Sequence, residues 1–145
     1  MIDTIPQEFW SRKDISILDP CAGNGNFPAY ILYKLELFNN NDFLLYINEI
    51  NEKRFNNINQ LFDVKDNRII ISNNDFLTMD DSNKYDLIVA NPPYAKITNG
   101  KRAAKNHNVS RSFIEKAVEL TKDNGYIVFI VPDNWMSLAD RNNIP

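Results

Sequence analysis

The chain has 145 residues, a hydrophobic fraction of 43% and an aromatic fraction of 12%, which indicates one folded domain with a real core and excludes a disordered chain. Its net charge of −3 does not by itself indicate a nucleic-acid partner, and its single cysteine excludes a disulfide framework and a multi-cysteine metal site. No segment approaches the ~20 apolar residues of a membrane span, and the start lacks a signal-peptide core, so we expect a cytoplasmic protein with no membrane partner.

Short apolar runs alternate with helical patterns along most of the chain. The predicted strands are residues 15–18, which end at Asp19, and then 43–47, 68–71, 86–90 and 126–131. The predicted helices are residues 27–38, 52–62 and 112–120. The third helix is predicted to open at a capping box, Ser112-Phe113-Ile114-Glu115, and Asp123-Asn124-Gly125 is the predicted turn into the fifth strand. The link from the third to the fourth strand is short enough to be a loop or one helical turn.

These elements predict an α/β fold with a doubly wound parallel sheet. Near-continuous apolar strands separated by helices are typical of a parallel sheet covered on both faces. Right-handed crossovers then favour the strand order 3-2-1-4-5, in which the first and fourth strands are neighbours. Their carboxyl ends meet at the topological switch point, where ligands bind in such sheets.

The segment that follows the first strand is Asp19-Pro20-Cys21-Ala22-Gly23-Asn24-Gly25-Asn26-Phe27. Gly23 and Gly25 allow a tight turn and a close approach of a ligand to the backbone. Pro28 interrupts the three-glycine dinucleotide fingerprint, which argues against a nicotinamide enzyme. Glu49 ends the second strand, where a carboxylate can accept hydrogen bonds from ribose hydroxyls, and Asp75-Phe76 follows the third.

The segment that follows the fourth strand is Asn91-Pro92-Pro93-Tyr94. It places a side-chain amide, a carbonyl and an aromatic ring at the same edge as the loop that contains Gly23 and Gly25, here called the glycine loop. Those groups suit a planar amino nitrogen. A plain loop is the alternative interpretation, since Pro-Pro commonly ends a strand.

The two motifs together resemble those of S-adenosylmethionine-dependent adenine-N6 DNA methyltransferases, in the gamma-like arrangement of restriction-modification methylases. The resemblance runs from about residue 15 to residue 135 and implies a Rossmann-like class I methyltransferase fold, with S-adenosylmethionine as cofactor and no metal. It implies that Asp19 and the backbone of residues 22–25 hold the methionine part, that Glu49 binds the ribose, and that Ile50, Asp75 and Phe76 surround the adenine. The cofactor-binding residues so implied are Asp19, Pro20, Ala22, Gly23, Gly25, Phe27, Glu49, Ile50, Asp75, Phe76 and Asn91.

The same resemblance implies the roles of the catalytic motif Asn91-Pro92-Pro93-Tyr94. The Asn91 side-chain oxygen and the Pro92 carbonyl would accept hydrogen bonds from the target amino group, and Tyr94 would stack on a base flipped out of double-stranded DNA. Cys21 differs from the nucleophile of cytosine-C5 methyltransferases, which follows the fourth strand, so we expect it to be a small loop residue.

Charge is unevenly distributed just after the catalytic motif. Residues 95–114 contain no acidic residue, and their basic side chains are predicted to lie near DNA phosphates: Lys96, Lys101, Arg102, Lys105 and Arg111. A solvated basic loop is the alternative.

The resemblance is incomplete at the end of the chain. The family fold usually continues with two strands that form an antiparallel edge, and sequence-specific members carry a target-recognition region. We therefore expect residues 1–145 to be a single, truncated catalytic domain, with recognition supplied by a separate region or subunit. Three alternatives remain open: a protein-glutamine or RNA amino-methyltransferase, an inactive fragment that binds the cofactor or a partner, and, least favoured, a nicotinamide-binding domain.

Overall fold

The computed structural model describes residues 1–63, 65–93, 97–98, 101–102 and 109–131. The strands in these ranges are β1 Ile15–Asp19, β2 Phe43–Asn48, β3 Ile69–Ser72, β4 Tyr85–Ala90, β5 Ile97–Thr98, β6 Lys101–Arg102 and β7 Thr121–Phe129. Within the described ranges, five of them form one parallel sheet in the order β3-β2-β1-β4-β7, and β5 and β6 pair as two short antiparallel strands. The predicted order 3-2-1-4-5 and the Rossmann-like fold are confirmed, with β7 as the predicted fifth strand.

Helices cover both faces of this sheet. They are α1 Gln7–Trp10, which follows a 3₁₀ turn at Ile2–Thr4, then α2 Asn26–Leu37, α3 Glu52–Leu61 and α4 Val109–Leu120. Successive strand residues point to opposite faces, so Ile17 packs in the core that contains α1, α2 and α3, and Leu18 packs in the core that contains α4. The predicted double winding is thus present, and the carboxyl ends of the strands are left to build a site.

Helix α4 begins earlier than the sequence predicted. It starts at Val109, so the expected capping residue Ser112 lies inside it. The physical reason is burial: Ser110, Phe113 and Ala117 lie on its buried face, so the helical pattern extends back beyond the capping-box signature.

The turn predicted at residues 123–125 also differs. The structure assigns these residues to β7, where the pairing with β4 jumps from Thr121 opposite Tyr85 to Tyr126 opposite Leu87. The extra residues are taken up by an irregularity in which Asn124 has a left-handed φ of 62°. The residues that were predicted to form a turn before the fifth strand therefore form an irregularity within β7.

At the amino-terminal edge of the sheet, the buried carboxylate of Asp86 joins several elements. Asp86 pairs with Arg12 at 3.1 Å and with Lys122 at 2.7 Å, and it accepts a hydrogen bond from the Ser16 backbone at 2.9 Å. Burial alone would raise the pKa of Asp86, but the hydrogen bonds from Lys122 and Ser16 outweigh it and hold the pKa below its usual value. This edge lies opposite the predicted site. Among the helices of the described ranges, none has the length and apolarity that crossing a bilayer requires.

Candidate active site

The candidate site lies where β1, β2, β3 and β4 end at the same edge of the sheet. Parallel pairing sets this arrangement: Asp19 is opposite Ile47 of β2, and Leu18 is opposite Ile88 of β4. The loops that follow these strands carry most of the predicted site residues.

The two glycines after β1 serve different purposes. Both have left-handed backbone angles, with φ of 60° at Gly23 and 83° at Gly25. A Cβ added to Gly25 would lie 2.9 Å from the Phe62 ring, so this glycine lets the loop pack against the end of α3. A Cβ at Gly23 would meet no atom of the described residues within 4 Å. The loop backbone at Gly23 is therefore open to a ligand.

Glu49 ties the glycine loop to the start of α3. Its side chain is buried, its Oε2 accepts a hydrogen bond from the Gly23 backbone at 2.7 Å, and its Oε1 accepts one from the Asn51 backbone at 2.8 Å. Each carboxylate oxygen can accept a further hydrogen bond. Glu49 thus lies where the prediction places it, and its contact with ribose stays a prediction.

Asp19 is an acid whose buried position raises its pKa. It is fully buried, and its Oδ1 accepts a hydrogen bond from the Cys21 backbone at 3.1 Å. Its Oδ2 is buried and has no hydrogen-bond partner among the described residues. Burial, reinforced by the nearby charge of Glu49, raises the pKa of Asp19 from 3.8 to about 8. A cationic group placed against Oδ2 would give this oxygen a hydrogen-bond partner and would favour the ionised form of the buried carboxyl.

The two sequence motifs meet at Cys21 and Asn91. The backbone of Asn91 hydrogen-bonds the Cys21 sulfur, so the loop after β1 touches the residue that follows β4. Burial, followed by the charge of Asp19, raises the pKa of Cys21, so this thiol is protonated and a poor nucleophile. The sequence-based interpretation of Cys21 as a loop residue is consistent with this position.

The rest of the catalytic motif is partly described. Pro92 is buried, Pro93 is exposed, and the Pro93 carbonyl accepts a hydrogen bond from the Ser110 hydroxyl of α4 at 3.4 Å. The side chain of Asn91 is at the surface. Tyr94 lies outside the described residues, and its predicted stacking role stays a prediction.

The predicted adenine-binding residues occupy contrasting environments. Ile50 is 62% exposed, and its contact with the adenine stays a prediction. Asp75 is exposed, and its Oδ1 accepts a hydrogen bond from the Leu77 backbone at 3.0 Å. Phe76 is only 2% exposed, and its ring packs against Phe113 of α4 with the ring centroids 5.1 Å apart. Phe27 is half-buried and packs against the core under α2.

Asn48 was not among the site residues predicted from the sequence. This last residue of β2 is 1% exposed, and its side chain makes hydrogen bonds to the loops after β1 and β3. The available signal was a polar residue at the carboxyl end of an apolar strand, directly before the acid that the motif predicts. From the sequence, that position indicates only the end of a strand.

The predicted phosphate-contacting residues are only partly within the described ranges. Lys96 and Lys105 lie outside them, and Lys101 and Arg102 are described as backbone in β6. Arg111 lies in the first turn of α4, where its guanidinium pairs with Glu115 at 2.8 Å. DNA contact by this basic segment therefore stays a prediction.

A family model for the "Eco57I restriction-modification methylase" matches residues 22–144, which is most of the chain. The chain belongs to this family. Its match spans both the glycine loop and the Asn91 motif, and the predicted membership among restriction-modification methylases is confirmed.

Individual relatives agree with the family. The chain is 32% identical to the type II methyltransferase M.TthHB8I of Thermus thermophilus over 46% of its own length and 20% of that protein. It is 29% identical to the type II methyltransferase M.AccI of Acinetobacter calcoaceticus over 84% of its length and 24% of that protein. The chain therefore spans about a quarter or less of these curated relatives.

The fold has solved counterparts. A Listeria monocytogenes protein described as a class I S-adenosylmethionine-dependent methyltransferase superimposes with a TM-score of 0.73 at 21% identity, over 88% of this chain and 42% of that one. At 21% identity this similarity concerns the fold alone, and it supports the assignment of a Rossmann-like fold.

Proposed function

We propose that this chain is the cofactor-binding and catalytic part of a DNA methyltransferase that transfers a methyl group from S-adenosylmethionine to the exocyclic N6 of adenine. The observation that carries the proposal is the contact between the Asn91 backbone and Cys21, which joins a glycine loop to an Asn-Pro-Pro motif at one sheet edge. Membership of a restriction-modification methylase family supports DNA as the acceptor.

The residues of the edge fit the proposed cofactor. The α-amino group of S-adenosylmethionine is a cation at neutral pH, and the buried Oδ2 of Asp19 is an acceptor without a partner in the described part of the chain. The open side of Gly23 would admit the methionine part close to the backbone. Glu49 retains acceptor capacity for ribose hydroxyls, and exposed Ile50 offers an apolar surface for the adenine.

The residues after β4 suit an amino nitrogen as methyl acceptor. The lone pair of an exocyclic amino group is delocalised into its ring, so the nitrogen must be drawn towards a tetrahedral geometry before it attacks. In our proposal the side-chain oxygen of Asn91 and the carbonyl oxygen of Pro92 accept hydrogen bonds from its two protons and favour that geometry. S-adenosylmethionine supplies the electrophilic methyl group. Loss of one such preorganised acceptor typically costs ~10²–10³ in rate.

The acceptor base has to leave the duplex to reach this edge. A flipped adenine presents its N6 to acceptors in a pocket, and Tyr94 is the ring that we assign to stack on it. We assign phosphate contacts to the basic segment of residues 96–111 and sequence recognition to a separate region or subunit. We also propose a cytoplasmic location, because DNA is the proposed substrate and a lone cysteine suits a reducing compartment.

The test is a methyl-transfer assay preceded by a binding measurement. Calorimetric titration with S-adenosylmethionine, with NAD as control, should show binding of the former only. The protein is then incubated with unmethylated DNA of mixed sequence and methyl-labelled cofactor, and the nucleosides are identified by mass spectrometry. We expect N6-methyladenine; N4-methylcytosine, or label on RNA or protein glutamine only, would refute the proposed acceptor. Cofactor binding without transfer to any acceptor would refute catalysis by this chain alone.

A matched pair of variants tests the role of Asn91. Asn91→Ala should lower methyl transfer by ~10²–10³ through loss of one acceptor, with the cofactor dissociation constant little changed. Asn56→Ala removes an exposed amide in the middle of α3, outside the loops that carry the predicted site residues, and should leave both quantities unchanged. An Asn91→Ala protein that loses cofactor affinity and keeps its turnover at saturating cofactor would contradict the assigned role.

A further inference from the structure

The side chain of Asn48 uses its full hydrogen-bonding capacity. Its Nδ2 donates to the Pro20 carbonyl at 3.0 Å and to the Asn74 carbonyl at 2.9 Å. Its Oδ1 accepts from the Ser72 hydroxyl at 2.8 Å and from the Asn74 backbone at 3.0 Å. A carboxamide has two donor hydrogens and two acceptor positions, so all of them are engaged at a residue that is 1% exposed.

These partners belong to the loops that build the candidate site. Pro20 directly follows Asp19 in the loop after β1. Asn74 directly precedes Asp75 in the loop after β3, and Glu49 is the next residue along the chain from Asn48 itself. One buried amide thus joins the side of the site assigned to methionine, the acid assigned to ribose and the side assigned to adenine. A hydrogen-bond network in a low-dielectric interior holds such geometry firmly because each unmade bond is costly.

We propose that Asn48 is a positioning residue for the cofactor, which sets the separation of the loops after β1 and β3 without touching the ligand. The inference rests on the proposed function, since it assumes that the ligand of this edge is S-adenosylmethionine. It differs from a simple contribution to stability because the partners of Asn48 are the residues next to Asp19 and Asp75. Small displacements of such groups have large effects on a ligand that spans both loops.

The chain contains a matched control at the other end of β2. Asn40 is also buried, at 4% exposure, and its Nδ2 donates to the Trp10 carbonyl at 2.8 Å and to the Arg12 carbonyl at 2.7 Å. Its Oδ1 accepts from the Asp42 backbone at 2.9 Å. Asn40 therefore joins the end of α1 to the segments before β1 and β2 at the amino-terminal edge, whereas Asn48 joins loops at the carboxyl-terminal edge.

The decisive experiment compares Asn48→Asp with Asn40→Asp. Each change keeps the side-chain shape but turns the amide nitrogen, which faces two carbonyl oxygens, into an oxygen, so both variants should melt at a lower temperature than the wild type. Calorimetric titration with S-adenosylmethionine, well below either melting temperature, should give about a tenfold or larger rise in the dissociation constant for Asn48→Asp. For Asn40→Asp we expect a change within about twofold, as for sites that do not couple.

A second, milder pair covers the case in which Asn48→Asp does not fold. Ser72→Ala removes the hydroxyl that donates to Asn48 Oδ1. Ser16→Ala removes a hydroxyl at the opposite edge, which lies within hydrogen-bond distance of the Lys84 carbonyl and of Asp86 Oδ2. We expect a few-fold loss of cofactor affinity for Ser72→Ala only, in line with one neutral hydrogen bond. In active preparations, the loss should appear in KM for the cofactor and not in KM for DNA.

The outcomes separate the two hypotheses. A wild-type protein that does not bind S-adenosylmethionine refutes the proposed function. A wild-type protein that binds it, with folded Asn48→Asp and Ser72→Ala proteins of unchanged affinity, refutes the positioning role alone. Equal losses of affinity in Asn48→Asp and Asn40→Asp would also overturn it, because they would reflect general destabilisation.

Discussion

Replacement of Asp19 by asparagine should remove a pH dependence of stability that the wild-type protein carries. The pKa of Asp19 is about 8 in the folded protein, against a usual value of 3.8. At pH values between these two, the folded protein holds a proton on this carboxyl that the unfolded chain has lost. Since the unfolded state binds fewer protons, the free energy of unfolding falls as the pH rises through this window.

The magnitude follows from the linkage relation. One proton difference changes the free energy of unfolding by about 1.4 kcal/mol per pH unit, which amounts to about 2.7 kcal/mol between about pH 5 and about pH 7. That is a large share of the ~5–15 kcal/mol that stabilises a typical domain. The amide introduced by Asp19→Asn would keep an oxygen for the Cys21 backbone but would not ionise, so the variant should lack this slope.

Urea denaturation at a series of pH values and constant ionic strength measures the effect. The free energies of unfolding of wild type and Asp19→Asn are compared at each pH, so that every other titrating group, including the single histidine, cancels. The unpartnered amide nitrogen in the variant adds an offset of about 1–3 kcal/mol that does not depend on pH. Parallel profiles for the two proteins would refute a raised pKa at Asp19.

The same carboxyl links cofactor affinity to pH. If the cationic amino group of S-adenosylmethionine lies against Oδ2, binding favours the ionised form and releases a proton, so the wild-type affinity should rise by up to about tenfold per pH unit below about pH 7. The affinity of Asp19→Asn should be nearly independent of pH in this range. A wild-type affinity that falls with rising pH would contradict the placement of the cation at Asp19.

Two further changes test the glycine loop and its acid. Glu49→Gln should raise the cofactor dissociation constant by about tenfold or more, because hydrogen bonds to a charged acceptor are worth about 1.5–3 kcal/mol; unchanged affinity in titration calorimetry would exclude Glu49 as a cofactor ligand. Gly25→Ala should lower the free energy of unfolding by about 1–3 kcal/mol more than Gly23→Ala. Both changes place alanine in a left-handed conformation, but only the new methyl group at position 25 would also clash with the Phe62 ring. Equal urea midpoints for the two glycine variants would show that the loop shifts to accommodate the methyl group.

The sheet could be predicted from the sequence because parallel strands are buried on both faces. Runs such as Tyr85-Asp86-Leu87-Ile88-Val89-Ala90 are nearly continuous in apolar residues, and all six are buried in β4. The strand order followed from the handedness of crossovers and placed the glycine loop beside Asn91. The hydrogen bond between Asn91 and Cys21 agrees with that placement.

Features that depend on tertiary packing could not be predicted from the sequence. Helix α1 has only four residues, too few to show a period, yet Phe9 and Trp10 are among the largest buried side chains of the described residues. The start of α4 was misplaced because Ser-x-x-Glu also occurs inside helices, where only burial of the preceding turn distinguishes it. The Asn48 network could not be predicted because the carbonyls that it joins come from loops more than 20 residues away in the chain.

The pKa values of the two buried aspartates of the sheet are shifted in opposite directions, and the positions of these residues explain the difference. Asp86, at the amino-terminal edge of β4, is paired with Arg12 and Lys122, and its pKa is lowered. Asp19, at the carboxyl-terminal edge of the neighbouring β1, has an oxygen with no partner among the described residues, and its pKa is raised. The charge of Asp86 is balanced within the chain and stabilises the fold at neutral pH. Asp19 is mostly protonated in the free protein at neutral pH, and a cation from the proposed cofactor would favour its ionised form, so part of the binding energy would offset the cost of ionising a buried carboxyl. On this argument, S-adenosylmethionine should stabilise the wild-type protein more strongly at neutral than at acidic pH, and Asp19→Asn should abolish that difference.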